Sequence, residues 1–377
     1  MAGEDADLVG AIISGIRTAL STDTDVLALG VGDRRRMDLS DAVQRAFAPA
    51  HQPGRIGAEA ELIAVTDTDA PKPVDPAVLA DGFDPAFVAA ARPTFEPGGQ
   101  LELSPPPRRT VSGFVSHLHR LLARATAIAG ERGVRLEAVG TNPYHSCADV
   151  PLRTPTPRYV AMQNEFDRLG PNGRRMMRLT ASLQVSVDLL PGRDGVEQWL
   201  VANLAGPALT VAFANSTAID GRPTSIPGAR TRIWQGVDMR RTGYDGRHLD
   251  PADPIGAYLA FASAAPRLAI PETADPLYHL STLFPPVRPR GGYLEVRYLD
   301  AQPFERIGEA VATVVHLLYD RRARRDALDL LLPRASDHER AWSEAAAGHS
   351  PESDALLSIA RTARSVAGRA LIGGGVS

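Results

Sequence analysis

Acidic residues recur at every second position in stretches of this chain that have the composition of β-strands. Glu59 and Glu61 lie in the stretch RIGAEAELIAV. Glu96 and Glu102 lie on either side of the Pro-Gly-Gly turn in TFEPGGQLELS, residues 94–104. Side chains two positions apart in a strand project from the same face, and a tight turn holds two strands side by side. We therefore expect a carboxylate cluster on one face of a sheet.

Carboxylates held this close repel one another. Two unit charges about 4 Å apart interact by roughly 4 kcal/mol at an effective dielectric constant of 20, so such a cluster takes up protons or binds cations. Oxygen ligands suit hard cations such as Mg²⁺ or Mn²⁺, and His145 is a candidate nitrogen ligand. Carboxylate-held magnesium commonly serves substrate phosphates. The pattern indicates a magnesium–nucleotide site, and the alternative is the ordinary solvated face of a half-exposed sheet.

Two later stretches carry polar groups at the same period. The stretch 178–190 alternates a polar face, which includes Gln184, with an apolar face. In GGYLEVRYLD, the side chains of Tyr293, Glu295 and Arg297 share one face. A sheet built from these strands would add hydroxyls, an amide, a carboxylate and a guanidinium to the acidic cluster.

The composition excludes several other kinds of site. Of the 41 lysine and arginine residues only Lys72 is a lysine, and it lies in Pro-Lys-Pro. The chain therefore has neither a Walker A loop nor the strand lysine of a protein kinase. A single cysteine, Cys147, excludes an intrachain disulfide and a cysteine-type zinc site.

Charge and hydropathy predict the cellular setting. A net charge of −3 gives no overall basic field for nucleic acid. No apolar run approaches the roughly 20 residues that a membrane span needs, and the acidic N-terminus lacks the basic region of a signal peptide. We expect a cytoplasmic protein with no nucleic-acid partner, no membrane partner and no obligate protein partner.

The elements that position these residues follow from periodicity and turn signals. The predicted helices are 7–20, 39–48, 111–132, 196–213, 255–263 and a C-terminal helical region to about residue 368. The predicted strands are 55–65, the two arms of 94–104, 135–140, 178–190 and 291–300, with an irregular stretch at about 216–254. Without a repeat or a long linker, 1–377 is predicted to be one catalytic domain. Its core spans about 52–305, and the terminal helices pack on it. The class is α+β, a mostly antiparallel sheet with helices on its apolar face.

These stretches resemble the signature of the glutamate–cysteine ligase family, and more narrowly its actinobacterial branch that supplies γ-glutamylcysteine for ergothioneine synthesis. The matching segments run in family order between residues 57 and 300. They are GAEAEL, TFEPGGQLELS, TNPYH, TPRYVAMQNEF, GRRMMRLTASLQVSVD, ARTRIWQG and GGYLEVRYLD.

The resemblance implies a sheet curved into a funnel with helices on its outer face, a glutamine synthetase-like catalytic fold. It also implies ATP and two or three Mg²⁺ ions, with Mn²⁺ as a possible substitute. The positions that match metal ligands are Glu59, Glu61, Glu96, Glu102, His145 and Glu295. Arg297, with Glu295, matches the catalytic position near the transferred phosphate. The positions that match substrate or nucleotide contacts are Gln184, Arg230, Arg232, Trp234 and Tyr293.

The resemblance implies ligation of L-glutamate and L-cysteine. ATP phosphorylates the γ-carboxylate of glutamate, the amine of cysteine attacks the acyl phosphate, and phosphate leaves. Two alternatives remain open. One is a related carboxylate–amine ligase with a different acceptor, and the other is a non-catalytic relative that binds nucleotide or amino acid.

Four further features have ordinary interpretations beside functional ones. A nucleophilic pair of Cys147 and His145 is an alternative to a bystander cysteine, and LGVGDRRR (29–36) resembles a degenerate dinucleotide loop. The arginine-rich run 321–325 is expected to be a solvated helix face. Trp199 and Trp342 are expected in the core, whereas Trp234 is an equal candidate for a site wall.

Overall fold

A computed structural model describes residues 37–373 of the chain, and the side chains of residues 37–363. The described residues from Leu39 onward form one compact unit. The predicted helix over 7–20 and the stretch 29–36 lie outside the described residues. The single domain over 1–377 therefore stays a prediction.

Seven of the nine strands within the described residues form one sheet, in which every pairing is antiparallel. The strands are β1 (Ile56–Thr66), β2 (Pro93–Phe95), β3 (Leu101–Leu103), β4 (Val134–Glu137), β5 (Leu183–Asp188), β6 (Ala218–Ile219), β7 (Arg222–Pro223), β8 (Val287–Pro289) and β9 (Tyr293–Val296). The order in the sheet is β2-β3-β1-β5-β9-β8, β4 pairs with β1, and β6 and β7 form a separate ribbon.

The helices lie between and after the strands. They are α1 (Leu39–Ala46), α2 (Pro76–Ala80), α3 (Pro85–Ala91), α4 (Val111–Gly130), α5 (Pro157–Asp167), α6 (Asn172–Leu179), α7 (Gly192–Leu204), α8 (Gly206–Ala212), α9 (Ala229–Gln235), α10 (Met239–Thr242), α11 (Pro254–Ala264), α12 (Pro276–Ser281), α13 (Phe304–Tyr319), α14 (Arg321–Leu331), α15 (His338–Ala346) and α16 (Ser353–Gly373). Two short 3₁₀ helices are Pro271–Ala274 and Leu332–Asp337. No helix among the described residues combines the length and the apolar character that crossing a membrane requires.

The longest strand, β1, lies at the centre of the sheet and sets the position of the acids. On one side, Glu61 lies directly opposite Glu102 of β3. On the other side, Glu59 lies opposite Gln184 of β5. Residues 63–66 extend past these neighbours and pair with β4. The register of one strand therefore brings three acids and an amide to adjacent positions.

Strands β8 and β9 form a hairpin beyond β5. Glu295 in β9 lies opposite Ser186 of β5 on one side and opposite Arg288 of β8 on the other. The connection contains Gly291 and Gly292, whose φ angles are 66° and 91°. Glycine adopts this left-handed region without steric cost, which permits the tight return that pairs an arginine with Glu295.

The opposite face of the sheet is apolar and buried. Its side chains are Ala58, Ala60, Leu62, Leu101, Leu103, Val185, Val187, Leu294 and Val296. Helix α4 contacts β4 and β1, and α13 contacts β5. Helix α4 begins where the Thr110 hydroxyl accepts the amide of Gly113 at 3.2 Å, and its buried stripe repeats at helical spacing. This apolar packing leaves the acid-bearing face for chemistry.

The predicted class, α+β with a mostly antiparallel sheet, is confirmed, and the sheet is open. The strand predicted over 178–190 is too long at its start. Helix α6 continues to Leu179, and the strand begins only at Leu183. The Thr180 hydroxyl donates to the Met176 carbonyl at 2.7 Å, which extends the helical hydrogen bonding past the last helical residue. An alternating polar–apolar pattern continues through this helix end and therefore does not mark the boundary.

Three other boundaries differ from the prediction. The helix over 196–213 is two helices that meet at Ala205. The stretch 216–254 is not irregular throughout, because it contains β6, β7, α9 and α10. The strand over 291–300 is limited to Tyr293–Val296.

Candidate active site

Three carboxylates converge where β1, β3 and the turn between β2 and β3 meet. Each of Glu61, Glu96 and Glu102 offers one oxygen, and these oxygens all lie within 4.8 Å of one another. Two of the three residues are direct cross-strand neighbours. Like charges directly opposite each other destabilise a sheet, so this arrangement requires protons or cations for compensation.

Neutral donors hold the Glu61 carboxylate in place. Oε1 accepts the Ser182 hydroxyl at 2.8 Å and the Gln184 amide at 2.7 Å. Oε2 accepts the Ser182 main-chain N–H at 2.8 Å. The side chain is 8% exposed. Hydrogen bonds from neutral groups therefore orient this carboxylate.

The hairpin turn positions Glu96 and Glu102. The Thr94 hydroxyl donates to Glu102 Oε1 at 2.8 Å, and the Ser104 hydroxyl donates to the same oxygen at 3.2 Å. The buried Gln100 side chain accepts the Gly98 amide at 3.0 Å, and its own amide donates to the Thr180 carbonyl at 2.8 Å. The turn is thereby attached to the end of α6.

The pKa values of the acids reflect their burial and their mutual repulsion. Burial, and then the charges of Glu61 and Glu59, raise the pKa of Glu96 to about 8, although Arg297 lowers it. Burial, and then the charges of Glu96 and Glu61, raise the pKa of Glu102 to about 8, against the hydrogen bonds from its two hydroxyl neighbours. These groups titrate together, so the values describe the cluster.

Glu59 belongs to the same electrostatic group. Burial raises its pKa well above the ordinary range, and the charges of Glu102 and Glu295 raise it further. The charge of Arg297 acts in the opposite direction. Glu59 therefore lies between the acidic cluster and the arginine-rich end of the sheet.

Glu295 lies in a contrasting environment. Arg288 Nε donates to its Oε2 at 2.7 Å, and Arg297 Nη1 lies 3.1 Å from the same oxygen. Burial alone would raise the pKa of Glu295, but Arg288, Arg297 and Arg290 together hold it well below its usual range. This carboxylate is ionised and already compensated by positive charge.

Arg297 connects the two environments. Its Nη1 donates to Gln184 Oε1 at 2.5 Å, and the Gln184 amide donates to Glu61. Its side chain is 15% exposed. The guanidinium is thus held at the border between the acidic cluster and Glu295, with its orientation set from both sides.

The acidic donor set is suited to a divalent cation. Mg²⁺ binds oxygen ligands at about 2.0–2.1 Å, so opposed ligands of one ion lie about 4 Å apart. The 4.8 Å spread of the three oxygens comes close to that span. Their chemistry is the all-oxygen set that hard cations prefer, and a cation would relieve the repulsion that raises the pKa values.

Several of the predicted site residues are not brought to this cluster. His145 does not join the group of three acids, and its Nε2 hydrogen-bonds to the Pro71 carbonyl at 2.9 Å. Glu295 is engaged by arginines instead of facing the three acids. A direct ligand role for His145 or Glu295 therefore has no support in this geometry.

The predicted substrate or nucleotide contact of Arg230 stays a prediction, and the structure places its guanidinium against main chain. The residue is 3% exposed, and its Nη1 and Nη2 donate to the carbonyls of Tyr298 and Arg297 at 3.1 and 2.9 Å. Arg232, on the same helix, is exposed. The two arginines of this helix therefore lie in different environments, which the sequence spacing could not distinguish.

Of the two aromatic candidates, Trp234 lies near Arg297. Trp234 is 9% exposed and, together with Arg297 and Phe284, lines a recess of about 170 Å³ that includes space open to solvent. Tyr293 is partly buried and lies opposite Asp188 in the sheet. Ligand contacts by Trp234, Tyr293 and Arg232 stay predictions.

Three residues of the site were missed by the sequence analysis. Arg288 and Arg290 flank Glu295, and Ser182 makes two hydrogen bonds to Glu61. For the two arginines, the sequence signal is the stretch VRPRGGYLEV, in which they occupy alternate positions just before a Gly-Gly turn. Reading it required the hairpin register that pairs Arg288 with Glu295.

The Cys147–His145 alternative is disfavoured. Burial, and then the charge of Asp220, raise the pKa of the Cys147 thiol to about 11, so the thiol stays protonated at neutral pH. A cysteine nucleophile reacts as the thiolate.

Of two other expectations about burial, one is confirmed and one is wrong in part. Trp199 and Trp342 are buried at 1% and 0% exposure, which confirms them as core residues. The solvated face predicted for 321–325 is wrong for Arg324, which is 1% exposed and forms ion pairs with Asp194 and Glu197.

Comparison with known proteins defines the class. Residues 55–370 match the model of a family described as Glutamate-cysteine ligase family 2 (GCS2). The match covers most of the chain and includes every acid of the site. The chain belongs to the glutamate–cysteine ligase family 2.

Individual relatives point to one branch of the family. Glutamate–cysteine ligase EgtA of Mycolicibacterium smegmatis is 35% identical over 297 residues, which cover 70% of this chain and 68% of the relative. The protein of the same name from Mycobacterium tuberculosis H37Rv is 33% identical, over 67% of this chain and 64% of its own length. The chloroplastic glutamate–cysteine ligase of Arabidopsis thaliana is 30% identical, over 63% of this chain and 51% of the relative.

Solved structures give a weaker likeness. The glutamate–cysteine ligase of Francisella tularensis in complex with AMP aligns with a TM-score of 0.43 and 12% identity, over 84% of this chain and 83% of that one. The bifunctional glutathione synthetase of Pasteurella multocida aligns with a TM-score of 0.40 and 14% identity, over 85% and 49% of the two chains. These scores are too low to support an argument about the fold or the site.

Proposed function

We propose that this chain is an ATP-dependent ligase that joins the γ-carboxylate of L-glutamate to the amine of L-cysteine. The product is γ-glutamylcysteine, and the EgtA relatives favour a role in ergothioneine biosynthesis. The observation that carries the proposal is the trio Glu61, Glu96 and Glu102, gathered within 4.8 Å beside Arg297 in a member of this family.

The three acids would hold divalent cations, with Glu59 close enough to share their charge. When bound, such cations neutralise charge on phosphoryl oxygens and align the reacting groups. We propose two or three ions per site, with Mg²⁺ preferred and Mn²⁺ accepted. The hydrogen bonds from Ser182 and Gln184 orient Glu61 for this task before any ion arrives.

Arg297 would contact the transferred phosphoryl group. Phosphoryl transfer develops charge on oxygens that a guanidinium can meet with two parallel hydrogen bonds. Gln184 and Glu295 hold the Arg297 side chain from two directions, which limits its motion before substrate binds. A preoriented donor stabilises the transition state without reorganisation at the moment of reaction.

The reaction then proceeds in two steps. The γ-carboxylate oxygen of glutamate attacks the γ-phosphorus of ATP, which gives γ-glutamyl phosphate and ADP. The amine of cysteine next attacks the acyl carbon, and inorganic phosphate leaves while the amine loses a proton. No protein nucleophile takes part, which agrees with the protonated, partly buried state of Cys147.

An ADP-release assay tests the proposal directly. We expect full turnover only when glutamate, cysteine, ATP and Mg²⁺ are all present, and loss of turnover in EDTA. Undiminished ADP release in EDTA would contradict the metal role. Release that ignores both amino acids would contradict the ligase assignment.

A second candidate is a carboxylate–amine ligase with another acceptor. It remains because none of the described contacts distinguishes a thiol from another small side chain. A panel of amines supplied at equal concentration with glutamate and ATP decides between the two. Preference for an amine other than cysteine would select the second candidate.

We also propose that residues 1–377 form one catalytic domain with a core over about 52–305, and that the protein works in the cytoplasm. ATP and both amino acids are available there. A non-catalytic, ligand-binding relative is the least supported alternative, because all the expected acids are present.

A further inference from the structure

Arg230 is a buried cation that contacts main chain next to a site residue. Its side chain is 4% exposed. Nη2 donates to the carbonyl of Arg297 at 2.9 Å, and Nη1 donates to the carbonyl of Tyr298 at 3.1 Å. Both carbonyls belong to the segment that follows β9. One planar guanidinium therefore holds two consecutive peptide groups of the segment that carries Arg297.

Asp300 and Trp234 hold the Arg230 guanidinium in turn. The Asp300 carboxylate, 3% exposed, lies with Oδ1 3.9 Å from Arg230 Nη1. Its Oδ2 accepts a hydrogen bond from the main-chain N–H of Asn215 at 2.7 Å. The Trp234 ring lies 5.6 Å from the Arg230 guanidinium carbon, within the range of a cation–π contact. Arg230 is thus fixed by charge, hydrogen bonds and an aromatic face.

Asp300 also connects this pair to the acidic side of the sheet. The main chain of Asp300 forms an isolated antiparallel β-bridge with that of Ser182. Ser182 in turn makes two hydrogen bonds to Glu61. Gly140 packs against the Asp300 carboxyl so closely that a Cβ at residue 140 would lie 2.5 Å from its Cγ. The Arg230–Asp300 pair therefore contacts the segment that carries Arg297 and also adjoins Ser182, which orients Glu61.

A buried ion pair is a poor source of stability, because the cost of removing two charges from water offsets their attraction. A pair that contributes little to stability can still fix one geometry among several. We propose that Arg230 is a positioning residue for Arg297, holding the backbone at residues 297 and 298 so that the Arg297 guanidinium keeps its alignment. This rests on the proposed function, in which Arg297 contacts the transferred phosphoryl group.

The proposal makes a kinetic prediction that separates positioning from stability. A misplacement of about 1 Å in a catalytic group can lower the rate about 100-fold. We expect Arg230→Met to lower kcat by about this factor in protein that remains folded. The control is Arg322→Met, an arginine of helix α14 whose side chain is 83% exposed, and it should keep the kcat of the unaltered enzyme.

A double-mutant cycle on kcat tests the route of action. Arg230→Met, Arg297→Lys and the double variant are assayed for ADP release well below their unfolding midpoints in urea. If Arg230 acts through Arg297, the double variant should have about the kcat of Arg297→Lys alone, because residues that act as a unit are non-additive. A structural role alone would lower the urea midpoint and leave the effects on kcat multiplicative.

The outcomes distinguish the inference from the function on which it rests. Multiplicative losses in kcat, or an unchanged kcat in folded Arg230→Met, would overturn the positioning role. An unaltered kcat in Arg297→Lys alone would instead overturn the proposed phosphoryl contact, and the inference with it. If Arg230→Met does not fold, Arg230→Lys replaces it in the same cycle. Lysine keeps the charge opposite Asp300 but lacks the planar fork that reaches two carbonyls.

Discussion

Glutamates at the two ends of the polar face lie in opposite electrostatic environments. Glu96 and Glu102 lie among other acids, and burial with like charge raises their pKa values to about 8. Glu295, a few strands away, lies among three arginines that hold its pKa well below the usual range. One sheet thus carries acids whose mutual repulsion outweighs the nearby positive charge and an acid whose charge is compensated by arginines.

The difference shows which carboxylates are available for a cation. An acid whose charge is compensated by arginine gains little from a metal ion, whereas acids that repel one another gain most. Glu295 is therefore a support for Arg297, and the uncompensated acids are the candidate ligands. Four substitutions or conditions test this contrast, from the largest expected effect on turnover to the smallest.

The largest effect is expected from Glu102→Gln at the acidic end. A bound cation supplies several kcal/mol of charge stabilisation in the transition state, so ADP release should fall by at least about 100-fold. The folded protein should be no less stable in urea, because the change removes a repelling charge and keeps an oxygen for Thr94 and Ser104. Glu131→Gln, at an exposed helix end, is the control. Near-normal turnover in Glu102→Gln would remove this residue from the ligand set.

The same chemical change at the other end should act on stability first. Glu295→Gln leaves Arg288 and Arg297 buried beside each other without their shared counter-charge. Breaking a buried pair costs about 3–5 kcal/mol, and the free energy of unfolding in urea should fall accordingly. Glu309→Gln breaks an exposed pair with Arg361 and should change little. Equal stability of the two variants would contradict the contrast between the two ends.

A third prediction concerns the turn that positions the acidic end. A Cβ on Gly98 would lie 2.3 Å from the Arg178 carbonyl oxygen, so Gly98→Ala must displace the turn that carries Glu96. Overpacking of this kind costs about 1–3 kcal/mol, and ADP release should fall with it. Gly130→Ala, at the end of α4 with open space around it, should be neutral or stabilising by up to about 1 kcal/mol. Normal activity in Gly98→Ala would show that the turn is not rigid.

The last prediction concerns stability and not turnover: in metal-free protein, stability should depend on pH. The folded pKa values of Glu96 and Glu102 are raised above the unfolded value, so the folded state binds more protons. Their contribution to stability is present below about pH 4.5 and is lost as the pH rises to about 8. Thermal melts in EDTA should therefore show a Tm that falls as the pH rises across this interval. Added Mg²⁺ should raise the Tm more near pH 8 than near pH 4.5. Glu295 has the opposite sign, with stability lost as the pH falls. A Tm in EDTA that rises through the interval, with no larger gain from Mg²⁺ at pH 8, would contradict the raised values.

Local sequence predicted much of this arrangement because its causes are local. Strand periodicity placed Glu59 and Glu61 on one face, and the Pro-Gly-Gly turn brought Glu96 near Glu102, as the structure confirms. The start of β5 was misplaced because alternation persists through the end of helix α6. Periodicity does not report where a hydrogen-bonded helix ends.

By itself the sequence determined which residue types recur at strand spacing, and hence the α+β class, the acidic face and the family. Only the tertiary structure decided which acids meet one another and which meet arginines. Arg288 joins Glu295 through a hairpin register, and the Arg230 guanidinium is buried against two main-chain carbonyls. The physical reason is that burial and pairing depend on elements that are distant in sequence, and these set the charge state and orientation of each side chain.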